Sequence, residues 1–252
     1  MPGPVVEARR WHVCGLWTTA GARRELRRGG TQHRAARTLR SVTHPRTSPP
    51  VLLPVLVAVP ALVIAGLGLA HPTFLTPETA ERWRLAHLLL LPVFPLVGVS
   101  IWVVLRGERG ALAWLSRVLA FGWAVLYGAL DAIAGLGAPQ QVIRTAERGD
   151  PRPPIEDLFE IGDRLGELGV LSLAASAAVA AVVLARRTRN PFAVAGGALV
   201  VVCCYPLLRH HVFPPRGVLA MVGIGVGLAL LELGRRARTT DGAGRTAHPG
   251  RT

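Results

Sequence analysis

One carboxylate stands where an apolar run offers it no water. Asp131 lies in the stretch 111–136, and Tyr127 precedes it by four residues, one helical turn away on the same face. Four histidines fall at the ends of neighbouring apolar runs: His71 after the first, His87 before the second, and His210 and His211 after the fifth. If successive runs cross a membrane in opposite directions, all four histidines and Asp131 reach the same face. Asp131 then lies about five residues, or about 7.5 Å of helical rise, inside that boundary. An ionisable group at that depth costs a few kcal/mol unless partnered, so it marks a functional site by default. Imidazole and carboxylate together suit two chemistries. They can pass a proton, because imidazole exchanges near neutral pH, or hold a metal ion between neutral imidazoles and an ionised carboxylate. The expected site is a polar pocket formed by Asp131, Tyr127, His87 and one of His210 or His211, with His71 and Glu167 at its rim. Tyr127 is expected to hydrogen-bond Asp131. A metal ion is an admissible occupant, although no motif specifies one.

A second pattern precedes the fourth run. Glu156, Glu160, Asp163 and Glu167 recur at i, i+4, i+7 and i+11, which sets four carboxylates along one helical face, with Ile155, Leu158, Phe159 and Leu165 supplying an apolar side. Like charges a turn apart repel by roughly a few tenths of a kcal/mol per pair, so a cation is expected against the stripe. The plainest readings are pairing with Arg144, Arg148 and Arg152, themselves four apart, or simple solvation of the stripe; the histidines, as a proton or ion relay, and a metal ion are the sharper ones.

Familiar catalytic signatures are missing. The chain has no G-x-S-x-G, no H-E-x-x-H and no Walker loop. Gly223, Gly225 and Gly227 lie inside an apolar run with no strand before them, which excludes a nucleotide loop. The three cysteines, Cys14, Cys203 and Cys204, form neither a disulfide framework nor a metal knuckle. Histidine and aspartate at one membrane face resemble, in composition, the seven-helix alkaline ceramidase-like hydrolases. Their spaced histidine motif is absent here, where His210 and His211 are adjacent, so no activity is carried over.

The segments that must position these groups are apolar. The chain has 252 residues, 17% of them charged, yet the six stretches 51–70, 88–105, 111–136, 168–185, 190–208 and 217–234 hold only Arg117, Asp131 and Glu232. Such segregation excludes both a water-soluble globule and a disordered chain. Each stretch meets the length of about 17–25 helical residues that spans a hydrocarbon core. None shows the polar stripe of a soluble amphipathic helix or the alternation of a membrane β-strand. The expected fold is therefore all-α: a polytopic membrane bundle of six transmembrane helices over 51–234, with a loop at 137–167 that contains the acidic amphipathic helix. Small residues along the later runs, including the Gly223/Gly227 pair, suit close helix packing. Trp83, Trp102 and Trp114 are expected as anchors at the interfaces, and prolines 92, 95 and 206 as kinks or breaks.

Arginine sets the orientation. With the N-terminus in the cytoplasm, 21 of the 29 arginines fall on the inner side and 8 on the outer, the asymmetry of the positive-inside rule. Both termini are thus expected to be cytoplasmic and the histidines to face outward. The net charge of +14 is accounted for by this orientation, and nucleic acid is not an expected partner; membrane lipid and other membrane proteins are. Residues 1–50 read as an Arg-rich, solvated cytoplasmic tail without a cleavable signal, and 235–252 as a second tail. The absence of lysine and the abundance of Ala, Gly, Arg and Pro point to a GC-rich bacterial source and a plasma (inner) membrane. Three functions suit the pattern: foremost a membrane scaffold or accessory protein, then an ion- or proton-coupled small transporter using Asp131, then an outer-face metal-dependent enzyme acting on a lipid or envelope substrate.

Overall fold

The computed structural model describes residues 52–150 and 155–236; the tail at 1–50 and the part of the C-terminal tail beyond 236 lie outside them. Every regular element among the described residues is a helix: α1 (Leu52–Leu69), α2 (Ala80–Leu90), α3 (Phe94–Val104), α4 (Ala111–Leu130), a π-helical segment (Asp131–Gly137), α5 (Ala138–Arg148), α6 (Glu156–Thr188), α7 (Pro191–His210) and α8 (Arg216–Arg236). They make six spans long and apolar enough to cross a membrane, the second being α2 with α3 and the third running from α4 to α5.

Local chemistry sets the breaks. Pro92 has no N–H to give and would crowd the carbonyl of Leu88, so the second span parts into α2 and α3 around 91–93. Pro139 likewise cannot donate to Gly135, and the helix there widens to the π register. Asn190 caps α7 by accepting from the Phe192 amide at 3.0 Å, with Pro191 at the first helical position. Gly149, at φ 68°, ends α5 in the left-handed conformation.

The loop expected at 137–167 is helical over most of its length. Residues 138–148 continue the third span as α5, because Ala, Gln, Glu and Arg there are good helix formers. The acidic segment and the fourth span are a single helix, α6, of 33 residues.

Successive spans are neighbours in space, and α8 packs back on α1 to close the ring. The interior is filled by Phe94, Trp123, Tyr127, Ile64, Met221 and Ile224, while Leu56, Val118, Phe121, Leu171 and Val202 stand exposed on the outside. An apolar exterior suits lipid, so interior contact rests on packing rather than on expulsion of water. Small residues permit it: a Cβ on Gly98 would lie 2.5 Å from the Ala120 carbonyl oxygen, and one on Gly169 would lie 3.0 Å from the Tyr127 nitrogen. Ser116 and Ser176 tie α4 to α6 by donating to each other's backbone carbonyls at 2.8 and 2.7 Å.

The two ends of the ring differ in chemistry. At one, buried Glu232 accepts from both terminal nitrogens of Arg106, at 2.6 and 2.5 Å, and from Arg235 at 3.3 Å. Arg117 donates there to the carbonyls of Leu105 and Glu108 at 2.7 and 3.0 Å. The other end holds the histidines.

Candidate functional site

The histidine end is built from the last turn of α2, the π-helical segment, the start of α6, and the loops after α1 and α7. The α1–α2 loop is shaped by Thr79, whose hydroxyl donates to the Phe74 carbonyl at 2.7 Å and accepts from the Thr76 amide at 2.9 Å. That turn carries His71, Phe74 and Leu75 against α2.

His87 is the centre of the cluster. Its Nδ1–H donates to the Trp83 carbonyl one turn back, at 2.9 Å. A carbonyl only accepts, so Nδ1 must carry the proton, and in neutral imidazole Nε2 is left as a lone pair. Nε2 lies 3.8 Å from Asp131 Oδ1, across a gap slightly too long for a hydrogen bond. Asp131 opens the π-helical segment, is wholly buried, and has no hydrogen-bond partner at either carboxylate oxygen. Gly135, four residues on, allows the approach: a Cβ there would lie 2.5 Å from Cγ of His87.

The other histidines flank this pair. His71 donates through Nδ1–H to the Pro72 carbonyl at 2.7 Å, and its buried Nε2 has no partner. Its ring meets His87 and Trp83 edge-on, with centroids 4.8 and 4.6 Å apart. His211, in the left-handed region at φ 49°, stacks parallel to His87 at 6.3 Å and joins its Nδ1 to the Tyr127 hydroxyl at 2.5 Å. Burial holds the His71 imidazole below its usual pKa, with Arg82 adding to the effect and the bond to Pro72 opposing it. His211 is pushed well below the usual value by burial first, then by His87 and His71.

Asp131, Tyr127, His87, His211 and His71 are thus brought together, and two of the named residues stand apart. His210 turns away to accept from Arg216 at 3.3 Å. Glu167 borders a neighbouring cavity of about 270 Å³ with Asp163, Tyr127, His210 and His211.

Several expectations are corrected. Tyr127 does not bond Asp131; its hydroxyl is taken by His211, a partner from another span that spacing along one helix cannot reveal. Of the two plain readings of the acidic stripe, pairing with Arg144 or Arg148 is not seen; its carboxylates are exposed, as the solvation reading has it, and Glu160 pairs within the helix with Arg164 at 3.6 Å. Arg152 lies outside the described residues. No group of three or more His, Cys, Asp or Glu is arranged to hold a metal ion among the described residues. The Nδ1 nitrogens of His71 and His87 are spent on carbonyls, and that of His211 on Tyr127, so Asp131 and His87 remain a pair. Trp83 is not an interface anchor: it is buried against His71 and stacks on His87 at 5.4 Å.

A cavity of about 420 Å³ opens beside the pair. Trp83, His87, His211, Phe159 and Phe213 line it, with Glu156 and Asp163 adding carboxylates. Of these, Trp83, Phe159 and Phe213 escaped the sequence reading as site residues. Trp83 sits four before His87 and Phe213 two after His211, the only signals that point to them. The buried side-chain nitrogens and oxygens without a hydrogen-bond partner among the described residues are His71 Nε2, Trp83 Nε1 and both Asp131 oxygens. All four belong to this cluster.

No family model matches the chain, and neither the curated proteins nor the solved structures give a match.

Proposed function

We propose that this multi-pass membrane protein is a proton-coupled carrier whose exchanging site is the His87–Asp131 pair. What supports the reading is that, among the described residues, the buried side-chain polar atoms without a partner all gather in one cluster beside a cavity. A scaffold has no use for a wholly buried carboxylate without a donor, which costs several kcal/mol if left ionised and alone. One proton resolves the arrangement. On Asp131 it aims at the Nε2 lone pair; on Nε2 it makes an imidazolium facing a carboxylate. A small rotation of the carboxyl closes the 3.8 Å gap in either state. The pair therefore holds a proton and can pass it to whatever occupies the cavity, since His87 borders both.

The arginine asymmetry supports both termini being cytoplasmic, so that the histidine end faces outward, and the bacterial-type composition favours a plasma membrane whose lipid surrounds the ring. Infrared difference spectroscopy of the reconstituted protein, titrated over roughly pH 5 to 8 where imidazole exchanges, tests the site. The protonated-carboxyl band should change with pH in the wild type and vanish in Asp131→Asn. Spectra that agree between the two proteins throughout would remove Asp131 from any proton exchange.

A further inference from the structure

We infer that the cavity takes an organic cation: an ammonium group on an apolar body about the size of a ring. This deepens the proton-exchange reading, because the His87–Asp131 pair that holds the proton is also the cation's anchor.

The hydrogen-bond inventory comes first. The carbonyl bonds of His71 and His87 fix both Nδ1 nitrogens as donors, leaving both Nε2 nitrogens as acceptors. When Asp131 is ionised its two oxygens accept only. Three buried acceptors without donors, His71 Nε2 and the two Asp131 oxygens, therefore stand with a single orphaned donor, Trp83 Nε1–H, and the His87 Nε2 beside them makes no hydrogen bond either. The missing partner must bring hydrogens, and an ammonium brings up to three. His87 is 2% exposed, lines the cavity, and offers it an Nε2 with no hydrogen bond. Asp131 is buried and does not itself line the cavity; its Oδ1 lies 3.8 Å from that nitrogen, close enough for its charge to favour a cation there.

The walls agree with the inventory. Trp83, Phe159 and Phe213 present aromatic surface, the usual lining of sites for ammonium groups. Glu156 and Asp163 add negative charge, and among the described residues no arginine lines the cavity. An anion would meet two carboxylates with a third behind them. Among the described residues a bare metal ion lacks a third ligand. The volume of about 420 Å³ lies within the range of small-molecule sites, roughly 300–1,000 Å³.

Calorimetric titration of the full chain in detergent with benzylamine, benzyl alcohol and benzoate, three probes of nearly one shape, tests the charge requirement. Benzylamine should bind at least about tenfold more tightly than the alcohol, and benzoate should not bind. Asp131→Asn should weaken benzylamine at least about tenfold; Asp163→Asn, at an exposed position that does not threaten folding, should weaken it severalfold. Short-chain phosphatidylethanolamine and phosphatidylglycerol locate the source of the ammonium. Displacement of benzylamine by the first alone assigns the site to a lipid headgroup, and displacement by neither assigns it to a free amine. Equal binding of alcohol and amine, binding of benzoate, or no binding of any probe would overturn the inference. The infrared test of Asp131 does not depend on any of these outcomes, so the two readings can fail separately.

Discussion

Replacing Gly135 with alanine tests whether the His87–Asp131 geometry is imposed by packing. The new Cβ would fall 2.5 Å from Cγ and 3.0 Å from Cβ of His87, where ordinary contact begins near 3.4 Å. The ring must therefore retreat by about 0.9 Å at Cγ, from 2.5 to 3.4 Å, and by more at Cδ2, the atom nearest the new Cβ. It has little freedom to do so: Nδ1 is tied to the Trp83 carbonyl, and the ring stacks on Trp83 and His211. Overpacking of this kind costs about 1–3 kcal/mol, and the loss of one hydrogen bond about 1 kcal/mol. Removing a glycine from a helical segment returns about 0.5–1 kcal/mol. The net expectation is a loss of about 2 kcal/mol, a drop of roughly 4–8 °C in melting temperature for a chain of this size. Thermal unfolding in detergent, followed by circular dichroism, measures it. Gly128→Ala is the control, since a Cβ there meets nothing within 4 Å and should leave the melting temperature unchanged or raised. If Gly135→Ala melted no lower than Gly128→Ala and kept the pH-dependent carboxyl band, His87 would not be held as described.

Three further outcomes follow from the same physics. With the native cysteines replaced, a cysteine at Asp150 should be labelled by an impermeant reagent from outside intact cells and one at Thr188 should not; the reverse pattern would invert the orientation drawn from arginine. Because burial depresses His71 and His211 below their unfolded value near 6.5, the unfolded chain binds protons that the folded chain refuses, so their contribution to stability is present above about pH 6.5 and lost as pH falls below it. Melting temperature should decline from roughly pH 7.5 to 5 and decline less in His71→Gln; equal slopes in wild type and variant would contradict that account. At the opposite end, Arg106→Gln leaves buried Glu232 leaning on Arg235, and a loss of about 1–3 kcal/mol is expected, below the usual cost of breaking a buried pair because Arg106 is partly exposed and Arg235 remains. An unchanged melting temperature would show that the partners left to Glu232, Arg235 among them, suffice.

Much of this protein was legible in its sequence because the bilayer is a severe solvent. It demands about twenty apolar residues per helix and forbids unpaired backbone, so six runs become six spans with hardly any tertiary information. The same severity made Asp131 conspicuous: a charge in an apolar run is an anomaly that needs no structure to find. Depth was legible too, since helical rise alone brought His71, His87, His211 and Asp131 to one level.

Rotation about each helix axis was not legible, and it decided the site. Two residues at one depth meet only if their helices turn them inward, and that turn is set by side-chain volumes on neighbouring spans. Hence Tyr127, a turn from Asp131 along α4, found His211 across the bundle, while His210, adjacent to His211, fell to Arg216. The aromatic lining eluded the sequence for the same reason: Phe159 and Phe213 look like any apolar residue until tertiary packing sets them around one cavity. Glu232 and Arg106, 126 residues apart, paired by the closing of the ring, which spacing along the chain does not encode. Pro139 went unread in the sequence, and whether the helix would stop or widen around it depended on packing between α2 and α6. Tertiary structure chose the wider register, and with it the direction in which Asp131 points.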